Sequence, residues 1–386
     1  MPRTAVNIAD LRRRARQRLP RMVFDYLDGA AEDELSLHAN RQAFDEWRFQ
    51  PRLLRDVSRR VTETLWWDRA VAAPMAVAPV GLAGVFWPQA DIAVARAAAQ
   101  AGVPYILSTA SNSSIEAVAE QAGGDLWFQL YVINRSIADG LVQRALAAGY
   151  RTLVLTIDVT VGGKRERDLA NGFTQPFRLT PRVLADMARK PHWLWQNWRG
   201  APDLANLVTI EAPDPESQAA LVQRRMDASY DWQALQRLRD MWPHRLVVKG
   251  ILHVDDAHQA FAMGCDGVVL SNHGGRQLDG AVSPLALLPQ VAALANRKLV
   301  LIDGGVRRGT DILKARALGA DGVLLGRAVQ YGVAAAGQAG AATALRILHD
   351  ELDRAMALTG ISHIQHLPAD LLVRGDAGLL PCSNVG

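Results

Sequence analysis

The sequence predicts an α/β protein built as a closed (β/α)8 TIM barrel, with an N-terminal helical segment before it and a long insertion after strand 4. Three observations carry this reading. From residue 74 onward, short apolar runs alternate eight times with alanine- and leucine-rich stretches of helical length. The runs are apolar throughout rather than alternating, as strands buried on both faces of a parallel sheet must be. One connection, from Asp158 to Leu246, is far longer than the usual handful of residues and marks the insertion. An open doubly wound sheet is the alternative arrangement of the same units.

Taken in order, residues 7 to 31 read as one or two helices rich in arginine (Arg12, Arg13, Arg14, Arg16, Arg18, Arg21), with a solvated basic face. The candidate strands are Met75 to Pro79, Tyr105 to Ser108, Leu126 to Tyr131, Thr152 to Asp158, Leu246 to Gly250, Gly267 to Ser271, Leu299 to Asp303 and Gly322 to Gly326. Helical stretches between them include Asp91 to Ala101, Ser136 to Ala148, Val254 to Met263 and Thr310 to Leu318. Ala342 to Leu358 reads as a closing helix, and a polar extension runs on to Gly386. Residues 1–386 are therefore expected to form one domain: a helical segment 1–73, a barrel 74–340 with an insertion at about 175–215, and a helix and tail 341–386.

Composition narrows the function classes. With 49% hydrophobic and 21% charged residues the chain can bury a full core. A net charge of +4 is too diffuse to argue for nucleic acid, and no zinc-finger spacing or RNA-binding aromatic motif is present. Two cysteines, Cys265 and Cys382, make neither a disulfide framework nor a metal site, so a reducing compartment and no metal are expected. The start, Met1-Pro2-Arg3-Thr4, lacks the apolar core of a signal peptide, and no apolar run of about 18 residues exists. Any membrane contact is expected to be peripheral. The insertion, about Gln175 to Pro215, brings Trp193, Trp195 and Trp198 together beside Lys190, His192 and Arg199. Indole rings and cations favour the lipid headgroup level, although a tryptophan-rich lid or an oligomer contact has the same composition.

Strand ends carry the polar residues. After the sixth candidate strand comes Ser271-Asn272-His273-Gly274-Gly275-Arg276-Gln277-Leu278-Asp279-Gly280, at the barrel end where this architecture places its chemistry. His273 offers a base that titrates near neutral pH, and Arg276 offers a planar fork matched to a carboxylate. Together they suit proton removal from a hydroxy acid. Asp303-Gly304-Gly305-Val306-Arg307-Arg308-Gly309 and Gly326-Arg327 follow strands seven and eight, the usual phosphate position of this fold. A phosphorylated cofactor or substrate follows from position, or else a structural glycine-rich turn; the identity of a cofactor does not. Lys249, closing the fifth strand, needs an anionic neighbour if buried. Ser108, Gln129 and Thr156 close the second, third and fourth strands.

The run Ser271 to Asp279 resembles the active-site motif of the FMN-dependent 2-hydroxy-acid dehydrogenase and oxidase family, and the resemblance extends from Tyr26 to about Arg327. It implies FMN as cofactor. Asp303, Gly304, Gly305, Arg307, Gly326 and Arg327 match the family's phosphate and ribityl contacts. Lys249 matches the lysine beside flavin N1 and O2, where it stabilises negative charge on the reduced ring. Ser108, Gln129, Thr156 and Ser271 match contacts to the flavin ring system, and Pro79, Val80 and Gly81 match the backbone that lies along it. On the substrate side the resemblance makes His273 the base and Asp158 its carboxylate partner. Arg165 and Arg276 would bind the substrate carboxylate, while Tyr26 and Tyr131 hydrogen-bond the carboxylate or hydroxyl. The segment Asp158-Val159-Thr160 departs from the commoner Thr-Pro pattern after the aspartate, but the spacing from Asp158 to Arg165 is kept.

Further expectations rest on the same resemblance. Gly81, where glycolate oxidase has alanine, favours a dehydrogenase over an oxidase. Trp47-Arg48-Phe49-Gln50-Pro51, Asp56 to Arg60, Met226 to Tyr230 and Trp242-Pro243-His244 are most similar to the mandelate-oxidising branch. Pro191 to Trp195 and Gly200 to Asn206 are instead similar to the flavin lactate dehydrogenases. (S)-Mandelate, oxidised to benzoylformate, is the expected substrate, with L-lactate or another 2-hydroxy acid the alternative. The insert implies peripheral contact with the cytoplasmic face of the inner membrane, with membrane quinone as electron acceptor. The family's assembly implies a homotetramer. An NAD-linked dehydrogenase would need a glycine fingerprint after the first strand, and Gly81-Leu82-Ala83-Gly84-Val85-Phe86-Trp87 matches it poorly. A non-enzymatic membrane protein would be expected to have lost His273, Arg276 or Asp158, and all three are present.

Overall fold

A computed structural model describes residues 4–173, 178, 180–197, 203–208 and 226–375. Three helices come first: α1 (Ile8–Arg18), α2 (Arg21–Asp28) and α3 (Leu35–Asp45). Asn7 caps α1 by accepting from the Asp10 amide. Short strands β1 (Trp47–Phe49), β2 (Thr64–Trp66) and β3 (Arg69–Val71) follow, the last two forming an antiparallel hairpin. The barrel then closes from β4 (Met75–Val77), β5 (Tyr105–Ser108), β6 (Leu126–Leu130), β7 (Thr152–Thr156), β8 (Arg245–Ile251), β9 (Gly267–Leu270), β10 (Leu299–Ile302) and β11 (Gly322–Leu325). Every barrel pairing is parallel, and β11 returns to β4 to close the ring. The eight strands are the eight apolar runs of the sequence, each ending on its expected terminus or within two residues of it. The open-sheet alternative is excluded by the closure.

The strands are buried on both sides, so Val, Leu, Ile and Ala dominate their sequences and the few polar residues gather near their ends. Helices α4 (Ala90–Gln100), α5 (Ile115–Ala122) and α6 (Arg135–Ala147) follow β4, β5 and β6 on the outside, and the short α7 (Glu166–Ala170) follows β7. Two elements differ from the sequence reading. The expected helix from Ala342 is part of a longer run, Arg327–Thr359, interrupted at Ala336 and Gly337. There the limbs fold so tightly that a β-carbon on Gly332 would sit 2.3 Å from the Gly340 carbonyl oxygen. Small residues at both positions are therefore required, and alanine periodicity alone conceals the break. Beyond it, part of the expected extension forms a strand: β12 (Leu372–Arg374) pairs antiparallel with β1 and ties this stretch to the N-terminal segment. Cys382 and the tail from 376 lie outside the described residues.

The basic N-terminal helix is also less solvated than expected. Arg12 forms a bidentate pair with buried Asp28, at 2.6 and 2.7 Å. Arg18 donates to the carbonyls of Phe86 and Ala334 and lies over the Trp87 ring at 4.2 Å. Burial pushes the Arg18 guanidinium down to about 10. Both arginines lock the helical segment against the barrel. Arg13, Arg14 and Arg16 fit the expectation better; they are exposed or half-buried.

The insertion divides into parts with different environments. α8 (Pro181–Ala188) buries no residue, and Trp195 on α9 (Pro191–Asn197) is 75% exposed. Trp193 is instead buried, with its indole N–H donating to the Val85 carbonyl at 2.8 Å, so this ring is a core anchor and no headgroup contact. Trp198 and Arg199 lie outside the described residues. Farther on, α10 (Ala205–Val208) returns to the barrel, where Asn206 is fully buried. Its carboxamide accepts from the Ile115 amide at 2.9 Å, and its carbonyl accepts from Arg144 at 2.8 Å.

Candidate active site

The carboxyl ends of the barrel strands open into one cavity with about 1210 Å3 of empty space, open solvent at its mouth included. Strand direction makes the residues just past each apolar run converge here. Pro79, Val80, Gly81, Tyr131, Lys249, His273, Arg276, Asp303, Gly304, Gly305, Arg307, Gly326 and Arg327 all line it, joined by Tyr26 from α2 and Arg165 from the loop after β7. Ser108, Gln129, Thr156, Asp158 and Ser271 are not among its walls. They stand at the same strand ends, one layer behind.

His273 occupies a strained backbone position, φ +56°, and the next two glycines continue the left-handed path at +65° and +78°. A side chain at Gly275 would put a β-carbon 2.6 Å from the Leu37 amide, which is why His-Gly-Gly and no bulkier run can make this turn. The ring is held on both nitrogens. Nδ1 lies 3.0 and 3.2 Å from the two Asp158 carboxylate oxygens, and Nε2 lies 3.3 Å from the Tyr131 hydroxyl that lines the cavity. Burial alone would raise the Asp158 carboxyl; His273 and Lys249 outweigh it and hold it below its usual range. An ionised Asp158 fixes the proton on Nδ1 and presents Nε2 as the basic nitrogen.

Lys249 is buried beneath this pair, 2.9 Å from Asp303 and 2.8 Å from the Ser271 hydroxyl. Burial would lower its pKa, but Asp303 and Asp158 raise it, so the ammonium stays charged. Ser271 also accepts from the His273 amide at 3.0 Å, placing it as a support for both side chains. Tyr26 donates to the Gly81 carbonyl at 3.1 Å and stacks on Phe173 with centroids 4.2 Å apart. Arg276 donates through Nη1 to the carbonyls of Tyr26 and Gly29, at 2.7 and 2.9 Å. Arg327 donates to the same Gly29 carbonyl at 2.7 Å and to Gly274 at 2.9 Å. The C-terminal carbonyls of α2, the negative end of its dipole, thereby aim two cations at the cavity.

Several buried polar atoms around this cavity have no hydrogen-bond partner: Gln129 Nε2, Thr156 Oγ1, Arg165 Nη1, Asp303 Oδ1, Arg327 Nε and Gln330 Oε1. Each costs about 1–3 kcal/mol if left so, and their clustering at one barrel end signals a polar ligand. Burial and Arg276 push Arg327 down to about 10, a further sign that an anion belongs beside it.

The FMN-dependent dehydrogenase family matches residues 15–374. The chain belongs to this family. FMN is its cofactor, and the unpartnered atoms suit it: a ring with donors and acceptors on its edge, a ribityl chain and a phosphate. The chain is 51% identical over 373 residues to (S)-mandelate dehydrogenase of Pseudomonas putida, spanning 96% of this chain and 95% of that one. It is 41% identical over 371 residues to L-lactate dehydrogenase of Pseudomonas paraeruginosa, spanning 95% and 97%. Among solved structures, monotopic membrane protein (S)-mandelate dehydrogenase superposes with a TM-score of 0.93 at 51% identity, covering 96% of this chain and 100% of that one.

Gly304 and Gly305 lie against the FMN cavity with φ of +90° and +86°, and a β-carbon on Gly305 would sit 2.2 Å from the Asn40 carbonyl oxygen. Gly305→Ala is therefore expected to purify with most of its FMN lost, read as the flavin-to-protein absorbance ratio. Sequence reasoning missed several FMN-cavity residues. Gln330 sits in the first turn after Gly326-Arg327, a position that could have flagged it. Leu82, Phe86, Ala110, Leu204 and Met226 also line the cavity. Apolar residues in loops carry no such signal.

Proposed function

We propose that the protein oxidises (S)-2-hydroxy acids, with (S)-mandelate to benzoylformate the preferred reaction. The observation that carries the reaction type is the Asp158–His273 pair, whose Nε2, beside the Tyr131 hydroxyl, faces a cavity that also contains Arg165 and Arg276. Arg165 and Arg276 bind the substrate carboxylate, and Tyr131 and Tyr26 hold its oxygens. His273 Nε2 takes the proton released in oxidation, and Asp158 stabilises the resulting imidazolium. Bound FMN supplies the two-electron acceptor. Lys249, fixed between Asp303 and Ser271, places a permanent positive charge where negative charge develops.

Preference for an aromatic acid is supported by the apolar side of the cavity. Leu204 and Met226 line it, and with Ile133, Leu207, Leu82 and Ala110 they form a hydrophobic cluster distinct from the main core. Alanine at 110 leaves room for a ring. Leu204→Ala is expected to lower the selectivity for (S)-mandelate over L-lactate by about 10-fold or more in kcat/KM, the scale of lost methylene contacts. The 41% identity to L-lactate dehydrogenase supports the alternative, a smaller 2-hydroxy acid in the same site. Anaerobic incubation with (S)-mandelate and an artificial acceptor should yield benzoylformate and leave (R)-mandelate intact. Turnover of L-lactate alone would move the protein to the alternative.

The insertion supports peripheral membrane association. Among the described residues no helix is long and apolar enough to cross a membrane, while Leu184 and Trp195 are exposed at 50% and 75%. The relative described as a monotopic membrane protein points the same way. The reading carries with it, by family resemblance, membrane quinone as acceptor, the cytoplasmic face of the inner membrane and a homotetramer. Removing residues 178 to 212 whole would take Leu204 and Asn206 with it and open the cavity. The sharper test is Leu184→Ser with Trp195→Ser, which should keep its FMN and lose co-flotation with anionic vesicles. Unchanged flotation would remove these side chains from the role.

A further inference from the structure

One buried carboxylate near the site has no part in the reaction described above. Asp168 lies on the single turn α7 (Glu166–Ala170), which starts at Arg165, and its side chain approaches Arg165 Nη1 at 3.9 Å. That nitrogen has no hydrogen-bond partner, and both side chains are nearly inaccessible, 7% for Arg165 and 13% for Asp168. The charged groups facing Asp168 come from three elements: Arg165 and Arg167 from its own, Asp25 from α2, and Arg276 from the loop after β9. Asp25 is occupied elsewhere, accepting from Asn171 at 2.7 Å and Arg21 at 3.3 Å. Arg167 pairs with Glu34 and Asp28. Asp168 is thus the carboxylate paired with Arg165, and Arg276 acts on it from beyond ion-pair distance.

We propose that Asp168 is a resident counter-ion for Arg165 and Arg276 whose charge opposes the substrate carboxylate and sets the affinity for anionic ligands. The inference rests on the reading that these arginines receive that carboxylate. With Asp168 ionised, the arginines are partly neutralised and an incoming carboxylate meets a like charge. With Asp168 protonated, both arginines act on the ligand alone. Burial and Asp25 raise the Asp168 pKa to about 6, against the opposing pull of Arg276 and Arg167. The sign follows: below that value the group is neutral and anions bind best, and affinity falls as pH rises through it. Bound anion raises the pKa further, so binding above pH 6 takes up a proton.

The test uses the FMN-loaded enzyme and phenylacetate, which lacks the hydroxyl and cannot be oxidised, followed through the flavin absorbance. His273 is present in both wild type and Asp168→Asn, so the ratio of their Kd values isolates Asp168. At pH 8 the variant should bind phenylacetate about tenfold more tightly, as removing a nearby like charge allows. The ratio should shrink to one by pH 5, and neutral phenylacetamide should not discriminate. Equal or weaker binding by Asp168→Asn at pH 8, or a ratio independent of pH, overturns the proposal and leaves Asp168 a structural support of Arg165. Arg165→Met separates the two layers: if it binds phenylacetate as well as wild type, the carboxylate reading itself fails. Should Asp168→Asn not fold, His273→Asn must still bind phenylacetate more tightly as pH falls through about 6; a flat profile there counts equally against Asp168.

Discussion

His273→Asn is expected to keep its FMN and its affinity for substrate analogues while losing at least roughly 10²–10⁴-fold in the rate of flavin reduction by substrate, the usual contribution of a positioned base. Asparagine, though smaller, offers an amide N–H that can meet Asp158 where Nδ1 lies 3.0 Å from it, but has no group that accepts and holds a proton at the position of Nε2. The loss should appear in kcat more than in KM, because the carboxylate contacts belong to Arg165 and Arg276. Stopped-flow reduction measures it directly. A near-normal rate would remove His273 from the role.

Lys249→Met is expected to damage stability and chemistry together. The ammonium is the charge partner of Asp303 at 2.9 Å in a site where both side chains are below 10% exposure. Removing it leaves an uncompensated buried carboxylate, a loss of about 3–5 kcal/mol. Thermal unfolding should shift markedly downward, and the midpoint potential of the bound flavin should fall, because a fixed positive charge no longer favours the reduced, more negative ring. An unchanged potential in a variant that retains FMN would place Lys249 in a purely structural role.

The barrel was legible because its strands obey one rule: buried on both faces, they are dominated by apolar residues, Val, Leu and Ile above all, and end at polar residues. Lys249, His273 and Asp303 stand out for the same reason, as costly groups at the ends of apolar runs. The motif from Ser271 to Asp279 added the family. What remained hidden depends on distant packing. Trp193 and Trp195 sit two apart in one tryptophan cluster, yet one ring is buried against the Val85 carbonyl and the other faces solvent. Arg12 and Arg18 look like their exposed neighbours until Asp28 and the carbonyls of Phe86 and Ala334 are placed around them. Leu204 and Met226 belong to the long connection between β7 and β8, which has no local pattern to reveal that its return limb walls the cavity. Asp168 is one carboxylate in a charged stretch, and only its burial beside Arg165 with Arg276 and Asp25 brought near from other elements distinguishes it.

The most direct measurement is an anaerobic titration of the FMN-loaded protein with (S)-mandelate, and of a fresh sample with L-lactate, following the oxidised flavin band. Bleaching by (S)-mandelate at much lower concentration than by L-lactate is the expected result. Preferential bleaching by L-lactate would keep the residue roles and change the substrate. Failure of every 2-hydroxy acid to bleach a fully loaded protein would contradict the account.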